Sequence, residues 1–233
     1  MAFGYQVLGF GSAPAVAETV AWYGDRGIVC GSVSGGGASF SDVIEYFTIS
    51  SAGNSTDFGD LTAILHDFSG CGNGTRMVVG GGSDAAYAAA NEIAYWAFAT
   101  LGNGTDFGDL TVARQHQVAA LSDGIKGVWG GGYAGGLENT IDYVLISTLG
   151  NATDFGNLTE ARRHIGSGCS DGIKGVFAAG EDSGGGPSSI IDYIVVATLG
   201  NATDFGDMAL DTYGGNSCAN TVRGVFVGGN DGL

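Results

Sequence analysis

Residues 150–159 read Gly150-Asn151-Ala152-Thr153-Asp154-Phe155-Gly156-Asn157-Leu158-Thr159, and this stretch decides the fold because it is not unique. The pattern recurs as GNSTDFGDLT at 53, GNGTDFGDLT at 102 and GNATDFGDMA at 200. Its phenylalanine therefore falls at Phe58, Phe107, Phe155 and Phe205, spaced 49, 48 and 50 residues apart. A tyrosine stands 12 residues before each one, at Tyr46, Tyr95, Tyr143 and Tyr193. A third marker is a basic residue that opens an apolar run ending in small residues. It appears as RGIVCGS from 26, RMVVGGG from 76, KGVWGGG from 126, KGVFAAG from 174 and RGVFVGG from 223. Self-similarity at a fixed period of this size is the mark of a repeat architecture.

Each unit of about 49 residues holds four β-type runs and no helical period. In the third unit the runs cover roughly 115–122, 125–131, 140–148 and 153–161. Val, Ile, Phe, Tyr and Thr fill them, and SDG, GGGYAGG and LGNA break them. The alanine-rich AAYAAANEIAYWAFA reads superficially as a helix, but its alignment with TIDYVLI assigns its second half to a strand. Four short strands in about 50 residues are the signature of a propeller blade.

Five basic-to-glycine runs stand against four tyrosine-to-phenylalanine segments. The start of the chain, AFGYQVLGFGSA, supplies the missing pair as Tyr5 and Phe10, separated by 5 residues instead of 12. The predicted fold is thus all-β, a single five-bladed β-propeller domain over 1–233. Its units lie near 16–64, 65–113, 114–161, 162–210, and 211–233 joined with 1–15, so that N- and C-terminal strands together close the last blade. An open β-array is the rival; closure is favoured because it removes free strand edges.

The order of markers resembles kelch repeats. In the third unit they are Lys126, Gly130–Gly131, Tyr143, Phe155 and Arg162. Phenylalanine replaces the tryptophan usual in that family, and the tyrosine-to-aromatic gap is longer. The resemblance implies a propeller and does not name a partner.

Composition narrows the function. Of 233 residues, 45 are glycine and 14% are charged, with 8 basic against 24 acidic residues, a net charge of −16. Such a chain is repelled by phosphate backbones and anionic lipid, which argues against nucleic-acid and membrane-surface binding. Hydrophobic residues, at 44%, suffice for a core, and Gly-X-Y periodicity is absent. Four scattered cysteines make no disulfide scaffold or zinc motif and are expected to be free thiols. No apolar run approaches the ~18 residues of a membrane span, and the N-terminus lacks a basic signal region. The expectation is a chain folded without Sec-type export.

Several residue sets invite a chemical reading. Arg26, Arg76, Lys126, Lys174 and Arg223 share one repeat position, five of the chain's eight cations. They form either a ring that holds an anion or, the stronger reading, a set paired with nearby acids such as Asp25 and Asp123. Counted back from Cys71, Leu121, Cys169 and Cys218, His66, His116 and His164 share a position that Tyr213 fills in the last copy. Metal binding would need those imidazoles to converge on one ion, which separate blades oppose, so no metal site is assigned. The GNxTDFGD turns carry oxygens that could hold calcium, although their spacing is not an EF-hand and Asx-turns explain them equally. Most of the NxT triplets arise from the repeated turn, and the DFG triplets lack the other kinase motifs. No cofactor is implied. The spacers after the glycine strands vary most, and their aromatics, Phe40, Tyr87 and Tyr133, are the candidate binding residues.

The particular repeats, IDYVLISTLGNATDFGNLTEARR followed by a cysteine and RGVFxGG, are similar to those of structural proteins of aquatic tailed phages, cyanophages especially. That resemblance implies a non-enzymatic virion protein of tail, fibre or particle surface, assembled in the host cytoplasm. Its partners would be other virion proteins or a host-surface glycan. A free sugar-binding lectin is the alternative, and a kelch-type enzyme the third reading. Nothing in the sequence sets an oligomeric state.

Overall fold

The computed structural model describes residues 25–34, 39–166 and 168–232. The described residues form strands and turns with no helix. The first sheet contains β1 (Arg26–Ser34), β2 (Ser39–Thr48) and β3 (Thr56–Asp60), in that order. A two-residue strand β4 (Leu65–His66) leads into the second sheet, β5 (Ser69–Gly72), β6 (Arg76–Gly80), β8 (Ala90–Ala97) and β9 (Thr105–Arg114). Between β6 and β8, the short β7 (Ser83–Asp84) pairs with β4. The third sheet is β10 (Ala119–Ser122), β11 (Lys126–Gly130), β12 (Thr140–Leu145) and β13 (Thr153–Asn157). The fourth is β14 (Gly168–Ser170), β15 (Lys174–Ala178), β16 (Ser188–Val195) and β17 (Thr203–Thr212). Strands β18 (Asn216–Ala219) and β19 (Gly224–Val227) form a two-stranded pair. Every pairing between these strands is antiparallel, and each joins sequence neighbours except β6–β8, which steps over β7, and the small β4–β7 ladder. The architecture is all-β and propeller-like.

The predicted four-run unit matches the observed sheets, and β8 occupies the second half of the alanine-rich stretch. The runs end earlier than predicted. Before β10 the chain turns through His116 and Gln117 with φ of 63° and 52°. After β12 a turn closes with Thr148 N–H donating to Leu145 O (2.9 Å). Left-handed residues and tight turns cannot continue a ladder, whatever their β propensity. Tyr5, Phe10 and the N-terminal closing strands lie outside the described residues, whereas the C-terminal ones are β18 and β19.

The core lies between sheets and not within one. Ile44, Phe58 and Leu61 of the first sheet region pack with Met77, Val79, Ala94 and Trp96 of the second. Val78, Ile93 and Phe107 pack with Trp129, Val144 and Ile146 of the third. Val128, Ile141 and Phe155 pack with Phe177, Ile194 and Val196 of the fourth. Successive sheets therefore bury each other's faces, as a stacked repeat must.

The 12-residue spacing has a direct cause. The turn between the third and fourth strands of a unit returns the chain so that tyrosine and phenylalanine meet edge to face. Centroids are 6.1 Å apart for Tyr46–Phe58, 5.8 Å for Tyr95–Phe107, 6.0 Å for Tyr143–Phe155 and 5.9 Å for Tyr193–Phe205. That geometry is the one the ring quadrupoles favour.

The Gly-Asn-Xaa-Thr turn is a fastening between units. Gly102 N–H donates to Phe58 O (2.9 Å) and Gly104 N–H to Asp60 O (2.7 Å) in the unit before. Gly150 and Ala152 make the same bonds to Phe107 O (2.9 Å) and Asp109 O (2.7 Å), and Gly200 and Ala202 to Phe155 O (2.9 Å) and Asn157 O (2.8 Å). Asn103, Asn151 and Asn201 add a side-chain oxygen that accepts from the N–H of Asp60, Asp109 and Asn157 at 3.2, 3.2 and 3.1 Å. A Cβ on Gly59, Gly108 or Gly156 would stand 2.4–2.5 Å from the backbone of Gly102, Gly150 or Gly200. At Gly59, Gly108 and Gly156 a glycine is needed because the next unit's backbone occupies the space. The aspartates of these triplets cap their own turns: Asp106, Asp154 and Asp204 accept from the N–H two residues on. Of the turn oxygens considered for calcium, one in each of Asp106, Asp154, Asp204, Asn103, Asn151 and Asn201 is engaged in these turns and fastenings.

Candidate functional site

Among the described residues no ion pair joins an acid to the repeat cations Arg26, Arg76, Lys126, Lys174 and Arg223, and here the structure corrects the sequence reading. Arg26 and Arg76 stack over Tyr46 and Tyr95 at 4.8 and 4.6 Å, and Lys126 and Lys174 over Tyr143 and Tyr193 at 5.9 and 4.7 Å. Arg26 then donates to Phe98 O (2.6 Å), Arg76 to Ile146 O (2.9 Å) and Lys126 to Val196 O (2.9 Å), each in the following unit. Asp123 instead caps its own hairpin, accepting from Ile125 and Lys126 N–H at 2.8 and 2.7 Å. The carbonyls left open at the end of the neighbouring tyrosine strand accept from the cations, and the ring face receives their charge. Arg223 is exposed. The four cysteines are free, and burial pushes the thiols of Cys30 and Cys71 up to about 12 and that of Cys169 to about 11. Such thiols are poor nucleophiles.

The candidate aromatics gather with the histidines at one end of the sheets. There the spacers that follow the glycine strands meet the segments leading into the first strand of the next four-stranded sheet or strand pair. His66 is paired with Ser83, Gln115 with Tyr133, Arg163 with Glu181 and Tyr213 with Asn230 by backbone bridges. Phe40 stacks on His66 (4.6 Å, 12° between planes), and Tyr87 meets both rings edge-on at 5.4 and 5.1 Å. Tyr87 is 56% exposed and holds a left-handed φ of 61°. Tyr133 contacts His116 (5.4 Å) and lies under Arg163 (5.4 Å). His116 in turn faces His164 (5.1 Å), which faces Tyr213 (5.8 Å). The groups are tied together by Gln117 N–H donating to Asp67 O (3.1 Å) and Ser83 Oγ donating to Gln115 Oε1 (3.1 Å). The result is one arc of rings, not three isolated loops.

The equivalence of His66, His116, His164 and Tyr213 does not survive. Asp67, His116, His164 and Gly214 share the left-handed position, with φ of 57°, 63°, 51° and 71°. His164 N–H donates to His116 O (2.8 Å) and Gly214 N–H to His164 O (2.7 Å), so these residues link unit to unit. Each stands nine residues after its repeat phenylalanine. Counting from that phenylalanine gives the structural register; counting from the cysteine slips by one, because the stretch before Cys71 and Cys218 is one residue shorter. Nor does blade separation keep the imidazoles apart, since His116 and His164 come into ring contact.

Two members of the arc carried no earlier signal. Arg163 pairs with Glu181 at 2.5 Å, and His164 Nδ1 lies 3.1 Å from the other carboxylate oxygen. Arg163 stands beside the repeat arginine Arg162, and Glu181 opens a glycine-rich spacer, so neither belongs to the periodic pattern. The Arg163 hydrogen bond, with help from His164, holds the Glu181 carboxyl below its usual range. Burial first, then the electrostatic influence of His164 and of Arg163, hold His116 below the ordinary imidazole value. The arc thus offers flat apolar faces, imidazole nitrogens and a neutralised ion pair, a surface suited to stacking and hydrogen bonding. Among the described residues no three His, Cys, Asp or Glu side chains form a metal-ligating group.

No family model matches this chain, and no curated protein is similar to it in sequence. Among solved structures, the one described as "Structure of YjhT" is similar at a TM-score of 0.71 over 91% of this chain and 76% of that chain, with 11% identity. At that identity the likeness concerns the fold alone.

Proposed function

We propose that this chain is a non-enzymatic adhesion or structural module, a five-bladed ring closed through its termini, of the virion-surface class its repeats resemble. The observation that carries the reading is the arc: Phe40, Tyr87 and Tyr133, drawn from the most variable spacers, lie with His66, His116 and His164 along one end of a repeated scaffold. Variable aromatic loops on a stiff frame suit partner recognition. The partner is a neighbouring virion protein or a host-surface glycan.

The test is Tyr87→Ala with Tyr133→Ala in one chain. The fold should be kept, because Tyr87 is exposed and neither ring belongs to the inter-sheet clusters. Attachment to particles or to a glycan array should fall; equal attachment moves the site off the arc. The lectin alternative is favoured by the same exposed rings beside hydrogen-bonding groups, and saturable glycan binding by a protein missing from purified particles would establish it. Closure is tested by deleting residues 1–12, which should uncover a strand edge and cause association. Unchanged mass and melting would reject the closed ring.

A further inference from the structure

The tetrapeptide Gly-Asn-Gly-Thr occurs twice, at residues 72–75 and 102–105, and holds the chain's two Asn-Gly pairs. The fold puts the copies in opposite circumstances. The second is a fastening: Gly104 N–H donates to Asp60 O (2.7 Å), and Asn103 Oδ1 accepts from Asp60 N–H (3.2 Å). The first closes the hairpin between β5 and β6. There Asn73 Oδ1 accepts from three donors, Thr75 Oγ1 (2.8 Å), Arg76 N–H (2.9 Å) and Thr75 N–H (3.1 Å). Gly74 has a φ of 82°, and among the described residues its N–H donates to no acceptor. The hairpins of later units fill the asparagine's place with Asp123, Asp171 and Asn220. Their Oδ1 atoms accept from the N–H groups two and three residues on, at 2.7–2.8 Å.

We propose that Asn73 is a self-modifying residue, which loses its side-chain amide to attack by the Gly74 nitrogen, promoted by the hairpin's own donors. The Gly74 nitrogen gives its proton to hydroxide, and its electron pair bonds to Asn73 Cγ. The carbonyl π pair moves onto Oδ1, where the three donors stabilise the oxyanion as it forms. That pair returns, the Cγ–Nδ2 bond breaks, and the nitrogen takes a proton from water and leaves as ammonia. The product is a cyclic succinimide. Water then adds to one of its two ring carbonyls and opens the ring to aspartate or isoaspartate. Nothing is oxidised or reduced, and water is the sole co-reactant. Gly74 has no side chain to crowd the attack, and no acceptor holds its N–H. At Asn220, which is capped alike, the next residue is Thr221, whose branched side chain hinders the nitrogen. At Asn103 the same step must first break the Gly104–Asp60 bond, and with it part of the seam. The aspartate product is one this hairpin already accommodates, as Asp123 and Asp171. None of these residues belongs to the aromatic arc.

The experiment incubates the full chain in mildly alkaline buffer, with and without urea, and follows the peptides spanning both tetrapeptides by mass spectrometry. Asn73 is expected to deamidate at least as fast in the folded chain as in urea. Asn103 should slow by about tenfold or more on folding, because its nitrogen is hydrogen-bonded there. In heavy-oxygen water the label should enter the Asn73 peptide. Thr75 is exposed, so Thr75→Val should keep the fold, checked by circular dichroism, while removing one donor. It should slow Asn73 by about three- to tenfold and leave Asn103 unchanged, and Thr75→Ser should keep the original rate. Asn73→Asp should melt as the unsubstituted chain does. A folded Asn73 slower than in urea, or both asparagines protected alike, overturns the proposal. So does an Asn73 rate that Thr75→Val leaves unchanged.

Discussion

Arg114 and Asp142 form an ion pair of 2.7 Å across the seam between the second and third sheets, and neither side chain has any exposed surface. Arg114 also donates to Thr140 O (2.5 Å) and Gly131 O (3.2 Å), while Asp142 accepts from Thr111 Oγ (2.5 Å) and Thr111 N–H (3.2 Å). Arg162 and Asp192 repeat the arrangement one seam later at 2.5 Å, with Thr159 as the hydroxyl donor. At the seam before, the equivalent positions hold Leu65 and Ala94, 3% and 1% exposed. The chain thus uses an ionic and an apolar solution for the same joint. An ion pair taken wholly out of water needs its polar groups satisfied, and the carbonyls and threonines bond most of them, leaving the Nε of Arg114 and of Arg162 buried without a hydrogen-bond partner among the described residues.

Arg114→Leu alone should cost about 3–5 kcal/mol, because it leaves Asp142 charged and buried. Adding Asp142→Ala, which copies the Leu65/Ala94 joint, should recover most of the loss. Urea denaturation of the single and double variants reads both outcomes; a double variant no better than the single one would show that the pair is not replaceable.

The DFG glycines are predicted to differ in worth. Gly108→Ala places a Cβ 2.5 Å from the Gly150 carbonyl, whereas Gly206→Ala meets open space. Both positions have positive φ, 143° and 129°, so that backbone strain is common to the two variants. The melting temperature should fall further for Gly108→Ala, and equal losses would mean that strain alone governs both.

Removing the cation at Arg76 should cost a modest amount. Arg76→Met keeps the stem but loses the guanidinium over Tyr95 and its bond to Ile146 O, worth roughly 1–2 kcal/mol together. Since its partners are a ring and a carbonyl and not an acid, the loss should be nearly the same in dilute and in molar NaCl. A loss that vanishes in salt would restore the acid-paired reading.

Acid should destabilise the fold in two stages. His116 is held below its ordinary 6.5, so folding opposes its protonation. Its contribution is complete above 6.5 and is lost as pH falls from there toward the lowered value. Glu181 is held below its ordinary 4.5, so its contribution is present above 4.5 and is lost as pH falls further. Melting followed from pH 8 to 3 should show both declines. His116→Asn, which tolerates the left-handed backbone, should flatten the upper one and leave the lower; an unchanged upper decline would place it elsewhere.

The sequence by itself determined the unit, its four strands and its markers. Periodicity at about 49 residues survives any rearrangement of the units, and alternating β-branched and aromatic runs between glycine turns admit few other structures. It also pointed to Phe40, Tyr87 and Tyr133 through their place in variable spacers. What those residues touch was decided only in three dimensions. The choice of Tyr46, Tyr95, Tyr143 and Tyr193 as cation partners, and not Asp25 or Asp123, depends on which face a strand turns toward its neighbour. The register of Asp67, His116, His164 and Gly214 depends on where a loop absorbs one residue, which spacing measured from a cysteine misplaces. Arg163 and Glu181 lie outside the period altogether, and they meet because the backbone bridge between them extends the β14–β15 hairpin past its strands. Local pattern governs the backbone of each unit, since strand propensity and turn chemistry act over a few residues. Contacts between units join residues tens of positions apart, and only the packing of one sheet on the next brings them within reach.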